Sequence, residues 1–146
     1  TYAMGRLVLA SRNEVSRETA AEDFVGRTAA LADPTVAPYG LAATAAMERL
    51  GLDTATFRPV LVANVGQVAT IFATGNADFA FMSAAQLPLL NTPHVVDLQG
   101  LYPPIVQDAA LLVQAGDNAA ALAFWDWLFS DEGKTLIDLS GYDLAE

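Results

Sequence analysis

Short runs of branched and aromatic residues alternate along this chain with stretches of helical period, and Gly, Pro, Asn or Asp marks almost every change between them. That alternation admits few solutions, because strands joined by helices share a sheet and bury its faces under the helices. Residues 4–11 (MGRLVLAS) read as a strand, residues 20–25 as a weak helical turn, and residues 27–32 as a short buried strand stopped by Asp33-Pro34. Pro38 opens a helix reaching about Leu50, since proline is preorganised for the first helical position; Ala43, Ala46, Met47 and Leu50 form its buried face and Gly51 closes it. Residues 59–63 (PVLVA) form the next strand, Asn64 caps a helix carrying Val65, Val68, Ala69 and Phe72 on one face, and Gly75-Asn76 ends it. Residues 78–82 (DFAFM) and 95–98 read as further strands. Residues 105–113 read as one long strand interrupted by Gln107-Asp108, and residues 118–129 and 131–139 as two closing helices. The expectation is an α/β fold with helices on both faces of the sheet.

Hydrophobic residues make up 53% of the 146 positions and charged ones 16%, which supplies a core and argues against disorder. Seven Lys and Arg against seventeen Asp and Glu give a net charge of −10, the wrong sign for a nucleic-acid footprint or for attraction to anionic lipid. The chain has no cysteine, which removes disulfides, thiolate metal sites and cysteine nucleophiles. No apolar run approaches the length of a membrane span.

Two places share one form: a strand ends, a short turn follows, and a helix begins. The first is Ala37-Pro38-Tyr39-Gly40 and the second Ala63-Asn64-Val65-Gly66-Gln67. The opening turn of a helix offers backbone N–H groups and the positive end of the dipole, and so holds an oxyanion without formal positive charge. In an open α/β sheet such turns lie at the carboxyl ends of strands, where ligands bind. Gly40 and Gly66 permit close approach of a ligand or of a second backbone. Neither turn contains Lys or Arg, which suits a compact dianion that must be released again. Every α/β domain has strand–helix turns, however, and an ordinary connection would read the same way.

The same residues carry a resemblance. Residues 1–10 (TYAMGRLVLA), 32–41 (ADPTVAPYGL), 63–67 (ANVGQ), 73–81 (ATGNADFAF) and 102–109 (YPPIVQDA), with Gly141-Tyr142 near the end, occur in the order found in the periplasmic molybdate-binding proteins of ABC transporters, which this chain resembles over almost its whole length. The resemblance implies a class II periplasmic-binding-protein-like lobe with a mixed sheet flanked by helices, and C-terminal helices that belong to an incomplete first lobe. It divides the chain into a second-lobe α/β domain, 1–102, and a strand with the C-terminal helices of the first lobe, 103–146. It implies a clamshell that closes on molybdate or tungstate, needs no cofactor, and delivers the ion to the membrane component of a transporter from the periplasm. Carried over by motif, the backbone N–H groups of Tyr39 and Val65 and the hydroxyl of Tyr102 are the oxyanion contacts, supported by Pro38, Gly40, Asn64 and Gly66. Family members carry a further lobe-forming segment ahead of the TYAMG-like stretch, with Ser or Thr donors on two more helix N-termini. This sequence opens with that stretch, so half of the expected ligand shell lies outside it.

The segment Phe124-Trp125-Asp126-Trp127-Leu128-Phe129 sets aromatics on nearly every side of a helix that should keep one polar face. Phe124, Trp125, Trp127 and Phe129 are therefore expected to dock on a second copy or on a separately supplied first-lobe chain, unless the segment folds back over its own sheet. The alternative function is a truncated family member that has lost tight binding and acts by association. An enzyme finds little support. His94, the single histidine, reads as a loop residue without partners for a metal site or triad. Ser11 and Ser83 lack a nucleophile elbow, and Asn76-Ala77-Asp78 lacks the remaining ligands of a calcium loop. Asp108 reads either as a buried functional carboxylate or as a hydrogen-bonded residue where the strand crosses between lobes. Met4, Met47 and Met82 read as packing.

Overall fold

A computed structural model describes residues 1–90 and 94–145. In chain order the elements are β1 (Ala3–Gly5), β2 (Leu7–Ser11), α1 (Ala20–Asp23), β3 (Thr28–Ala32), α2 (Pro38–Arg49), β4 (Arg58–Val62), α3 (Val65–Ala73), β5 (Phe79–Ser83), β6 (His94–Asp97), β7 (Ile105–Gln107), α4 (Ala119–Leu128), α5 (Asp131–Leu139) and β8 (Tyr142–Leu144). Two compact units divide the chain: Arg6–Ile105, and Thr1–Gly5 with Val106–Glu146. The division differs from the expected boundary between residues 102 and 103. It falls three residues later, and the first five residues go with the smaller unit, because β1 pairs with β8 near the end of the chain.

The larger unit holds a five-stranded sheet in the order β4-β3-β5-β2-β6. Strand β3 runs parallel to both β4 and β5, and β2 runs antiparallel to β5 and β6, so the sheet is mixed. The inner strands LVLAS, TAALA and FAFMS are apolar at almost every position because helices cover both faces. Successive side chains alternate between those faces. Leu7, Leu9, Leu31, Phe79 and Phe81 meet Phe24, Phe57 and the Ala42, Ala43, Ala46 and Met47 face of α2. Phe24 stacks on Phe79 with ring centroids 4.0 Å apart. On the other face Val8, Ala10, Ala30, Ala32, Ala80 and Met82 meet Val68, Ala69 and Phe72 of α3. Bulk on one face and small side chains on the other let α3 lie close to the sheet. Beyond its last turn the Arg12 guanidinium donates to the carbonyls of Phe72 and Ala77, placing a cation at the negative end of the helix.

The smaller unit joins β7, β1 and β8 in a three-stranded sheet. Ala3, Leu128 and Ile137 form its core, with Tyr2, Trp127 and Tyr142 against it. Gly133 lets α5 press on the end of α4: a Cβ there would lie 2.2 Å from the Trp127 carbonyl oxygen.

Several expectations are corrected here. Residues 4–11 are two strands, not one, broken at Arg6, because β1 belongs to the three-stranded sheet and β2 to the five-stranded one. Continuous apolar sequence carries no mark of that change. The strand expected over residues 105–113 stops at Gln107, since its neighbour β1 is only three residues long. Residues 111–113 (LLV) are left exposed, Val113 by 95%. Asp108 is not buried: its side chain is 68% exposed, and its carboxylate accepts from the Thr1 hydroxyl. His94 begins β6 opposite Ser11 and is not in a loop. Strand β8 and the 3-10 turn Ala84–Leu89 have too little periodicity to be read from sequence.

Gly40 is the tightest point in the larger unit. A Cβ there would lie 2.3 Å from the Ala32 carbonyl oxygen and 2.8 Å from the Asp33 carbonyl carbon, so α2 crosses the end of β3 with backbone against backbone. Gly40→Ala should therefore lower unfolding free energy by about 1–3 kcal/mol, the usual cost of overpacking. Gly66→Ala, whose Cβ meets nothing closer than the Asn64 Oδ1 at 3.2 Å, should cost clearly less. Urea midpoints of the two variants measure the difference, and equal losses would remove the special role of Gly40.

Candidate functional site

The two turns singled out in the sequence open from neighbouring strands. Strands β3 and β4 are parallel and paired from Thr28↔Arg58 to Ala32↔Val62, and the Asp33 N–H donates to the Val62 carbonyl at 2.8 Å. Their carboxyl ends are therefore level, and α2 and α3 begin at the same sheet edge. Strand β5, parallel to β3, ends there too, at Ser83.

The turn before α2 is wound by Asp33. Its carboxylate accepts from the Thr35 N–H (2.8 Å) and hydroxyl (2.6 Å), and its carbonyl accepts from the Val36 and Ala37 N–H groups. The Thr35 hydroxyl, then the Thr35 N–H, hold the Asp33 carboxyl below its usual pKa. Asp33 is the single formal charge in residues 32–41, and these bonds face its carboxylate to Thr35. Ala37 occupies the N-cap in an extended conformation without side-chain help, and Pro38 follows. Tyr39 is half-buried against the larger core, and its hydroxyl lies 3.0 Å from the Ser83 Oγ.

The turn before α3 is fastened by its own side chains. Asn64 Oδ1 accepts from the Gln67 N–H at 3.0 Å, and Gln67 Oε1 reaches back to accept from the Ala63 N–H at 3.0 Å. This reciprocal arrangement is a capping box shifted by one residue. The N–H groups of Val65 and Gly66 lie between these bonds, with no hydrogen-bond acceptor among the described residues. They are orphan donors of a helix N-terminus.

Tyr102 is held differently: its hydroxyl accepts from the Leu7 N–H at 2.9 Å. Leu7 pairs with Ser83, which faces Tyr39, so Tyr39, Ser83, Leu7 and Tyr102 form one connected row. The structure thus brings Tyr39, Val65 and their supports Pro38, Gly40, Asn64 and Gly66 to one edge, and Tyr102 into contact with the first residue of β2. Sequence reading missed Gln86. It stands on the 3-10 turn after β5, and its Nε2 lies 3.9 Å from where a Gly66 Cβ would be. A lone amide in an apolar stretch gives no signal until the turn carrying it is placed.

Among the described residues no group of three or more His, Asp or Glu could hold a metal ion. Ser83 has a tyrosine hydroxyl and the Ala85 N–H as neighbours, and neither is a base. The two turns thus gather neutral dipoles at one sheet edge. The chain belongs to the bacterial extracellular solute-binding protein family, whose model matches residues 1–143. It is 37% identical to the molybdate-binding protein ModA of Rhodobacter capsulatus over 97% of its own length and 58% of that protein's. It is 35% identical to ModA of Azotobacter vinelandii over 99% of its own length and 60% of that protein's. The solved periplasmic molybdate-binding protein of Azotobacter vinelandii superposes with a TM-score of 0.85 at 32% identity, covering 100% of this chain and 68% of the other. The mixed sheet flanked by helices is that of a periplasmic binding protein, and the chain spans about three fifths of its ModA relatives. Among the described residues no helix is long and apolar enough to cross a membrane.

Two tests follow from the turns themselves. Asn64→Ala removes the cap of α3 and should lower stability by about 1 kcal/mol, read as a drop in thermal midpoint that Asn64→Asp largely avoids. Equal losses in both variants would show that the cap is not the cause. The depressed pKa of Asp33 means that its contribution is complete above the usual 3.8 and is lost as the pH falls through the lower folded-state value. Asp33→Ala should therefore melt earlier than the parent at pH 6, and the gap should close in more acid solution. A gap that persists well below the folded-state value would assign the loss to turn geometry, not to the carboxylate charge.

Proposed function

We propose that this chain carries one side of a binding site for a tetrahedral oxyanion, molybdate or tungstate, held by the backbone N–H groups of Tyr39 and Val65 for delivery to the membrane component of an ABC transporter. The observation that carries the reading is the alignment of two helix N-termini at the carboxyl ends of adjacent parallel strands, in turns without Lys or Arg. Tyr102 is included as a third contact by resemblance alone. Pro38, Gly40, Asn64 and Gly66 support the turns, and the site is extracytoplasmic. Relatives of this family that bind molybdate support the choice of ion. The ion enters as ligand and no cofactor is called for.

Neutral donors suit the task. A chain of net charge −10 repels a dianion at long range, but the site is local, and dipoles at a helix end act over the first turn. Hydrogen bonds to a charged group contribute about 1.5–3 kcal/mol each. Two of them give about 3–6 kcal/mol, a dissociation constant between several millimolar and tens of micromolar. Tighter capture needs donors beyond those in these two turns.

A second reading has its own observation. Phe124, Leu112, Leu136 and Leu139 are exposed in the smaller unit, with Leu139 at 77%. Leu128 packs inward and Trp127 lies half-buried against the core, its ring beside the exposed Phe124, while Phe129 meets Trp125. Such a surface fits a module that works by association, with a second copy or a separate first-lobe chain on Phe124, Trp125, Trp127 and Phe129. Titration of the 146-residue chain with sodium molybdate, followed by backbone amide shifts, separates the two. Saturable shifts at Tyr39 and Val65 in the millimolar range or tighter, stronger than those caused by sulfate, are expected for oxyanion binding. Silence at both residues, with a chain that sediments as a dimer, would replace it with association.

A further inference from the structure

Gln86 has no part in the contacts above, and they leave its amide unexplained. Among the described residues its buried Oε1 has no hydrogen-bond partner. An unpaired buried acceptor costs about 1–3 kcal/mol and calls for a reason. Its Nε2 lies 3.9 Å from the position of a Gly66 Cβ in the first turn of α3. The Gln86 Nε2 and the orphan N–H groups of Val65 and Gly66 thus lie at one turn, where the Asn64 Oδ1, 3.2 Å from the same Gly66 Cβ position, already accepts from the Gln67 N–H. Like-signed dipoles gathered in this way repel one another mildly and are relieved by an anion.

The turn that carries Gln86 is also fixed. Ser83 caps it by accepting from the Ala85 N–H at 3.3 Å, and the same Ser83 Oγ meets the Tyr39 hydroxyl at 3.0 Å. The Ala84 N–H donates to the Arg6 carbonyl at 2.9 Å. Gln86 therefore sits on a segment tied to the end of β5 and to the α2 turn, as a preorganised donor requires.

Building on the oxyanion reading above, we propose that Gln86 is a further contact and a specificity determinant of that site, its Nε2 donating to an oxygen of the bound anion beside the Val65 and Gly66 N–H groups. The consequence is chemical. A seat whose unengaged groups are donors accepts a fully ionised tetrahedral anion, such as molybdate, tungstate or sulfate. It offers little to the hydroxyl of hydrogen phosphate, which needs an acceptor, because the Asn64 Oδ1 beside Gly66 is already engaged by the Gln67 N–H.

The test uses the 146-residue chain and sodium molybdate, read by the side-chain NH2 signals of Gln86 together with the Val65 and Gly66 backbone amides. All three should shift along one saturation curve. Gln86→Ala should bind molybdate about tenfold more weakly, with its thermal midpoint at or above that of the parent, since it also removes the unpaired acceptor. Gln86→Glu, which sets a carboxylate among the donors, should lose molybdate binding while its loss toward hydrogen phosphate is smaller. If Val65 and Gly66 shift but the Gln86 NH2 stays silent, or if Gln86→Ala binds as the parent does, Gln86 is not a contact and the oxyanion site stands without it. If Val65 and Gly66 do not shift, the oxyanion reading fails and the role of Gln86 fails with it.

Discussion

Everything at the candidate site depends on the parallel pairing of β3 with β4 on one side and β5 on the other. Parallel neighbours end level, and each must be followed by a crossover that returns the chain to the start of the next strand. Helix α2 makes that return over one face and α3 over the other, as the two separate cores show. Both helices then begin where β3 and β4 end, so two positive dipole ends and a set of unpaired N–H groups lie at the same edge. The burial of β3 on both faces locks this arrangement. A one-residue slip would exchange Ala29 and Leu31, which face α2, for Ala30 and Ala32, which face α3. The contact of Gly40 with the Ala32 carbonyl then sets how far α2 advances over that edge.

The candidate site offers geometry more than charge. Its turns hold no cation, and the carboxylate just ahead of α2, Asp33, is occupied by the Thr35 N–H and hydroxyl. What remains is a set of oriented amides, fastened by the Asn64–Gln67 arrangement on one side and by the Tyr39–Ser83 contact on the other. Fixed dipoles need little reorganisation when an anion arrives, which is what the proposed function would ask of these turns. The same reasoning gives the row Tyr39, Ser83, Leu7 and Tyr102 a structural part: it ties the α2 turn to the ends of β5 and β2.

The smaller unit follows different rules. Its core is three buried residues with three half-buried aromatics around them, and its surface carries Leu112, Val113, Phe124, Leu136 and Leu139. So small a core leaves Leu122 and Phe124 of α4 and Leu136 and Leu139 of α5 exposed, in contrast to α2 and α3 of the larger unit, which each have a sheet face to bury against. The chain spans about three fifths of its ModA relatives, and the apolar surface is concentrated in the unit with the smaller core.

The sequence by itself determined the larger unit closely. Helical period with Pro38 and Gly51 bounded α2, Asn64 and Gly75 bounded α3, and apolar runs located β3, β4 and β5, because each signal is local and acts within a few residues. The two helix N-termini were legible for the same reason, as were the family motifs around them. Only the tertiary structure decided what depends on distant partners. The break at Arg6 exists because β1 pairs with a strand almost 140 positions away, and the strand after Ile105 stops early because that partner is short. His94 became part of a strand only because Ser11 lies opposite it. Gln86 became a candidate for the site only when the 3-10 turn brought it over Gly66. Local period shows where a strand or helix can form, whereas pairing partners, strand ends and the neighbours of a single amide are long-range facts that no window of sequence contains.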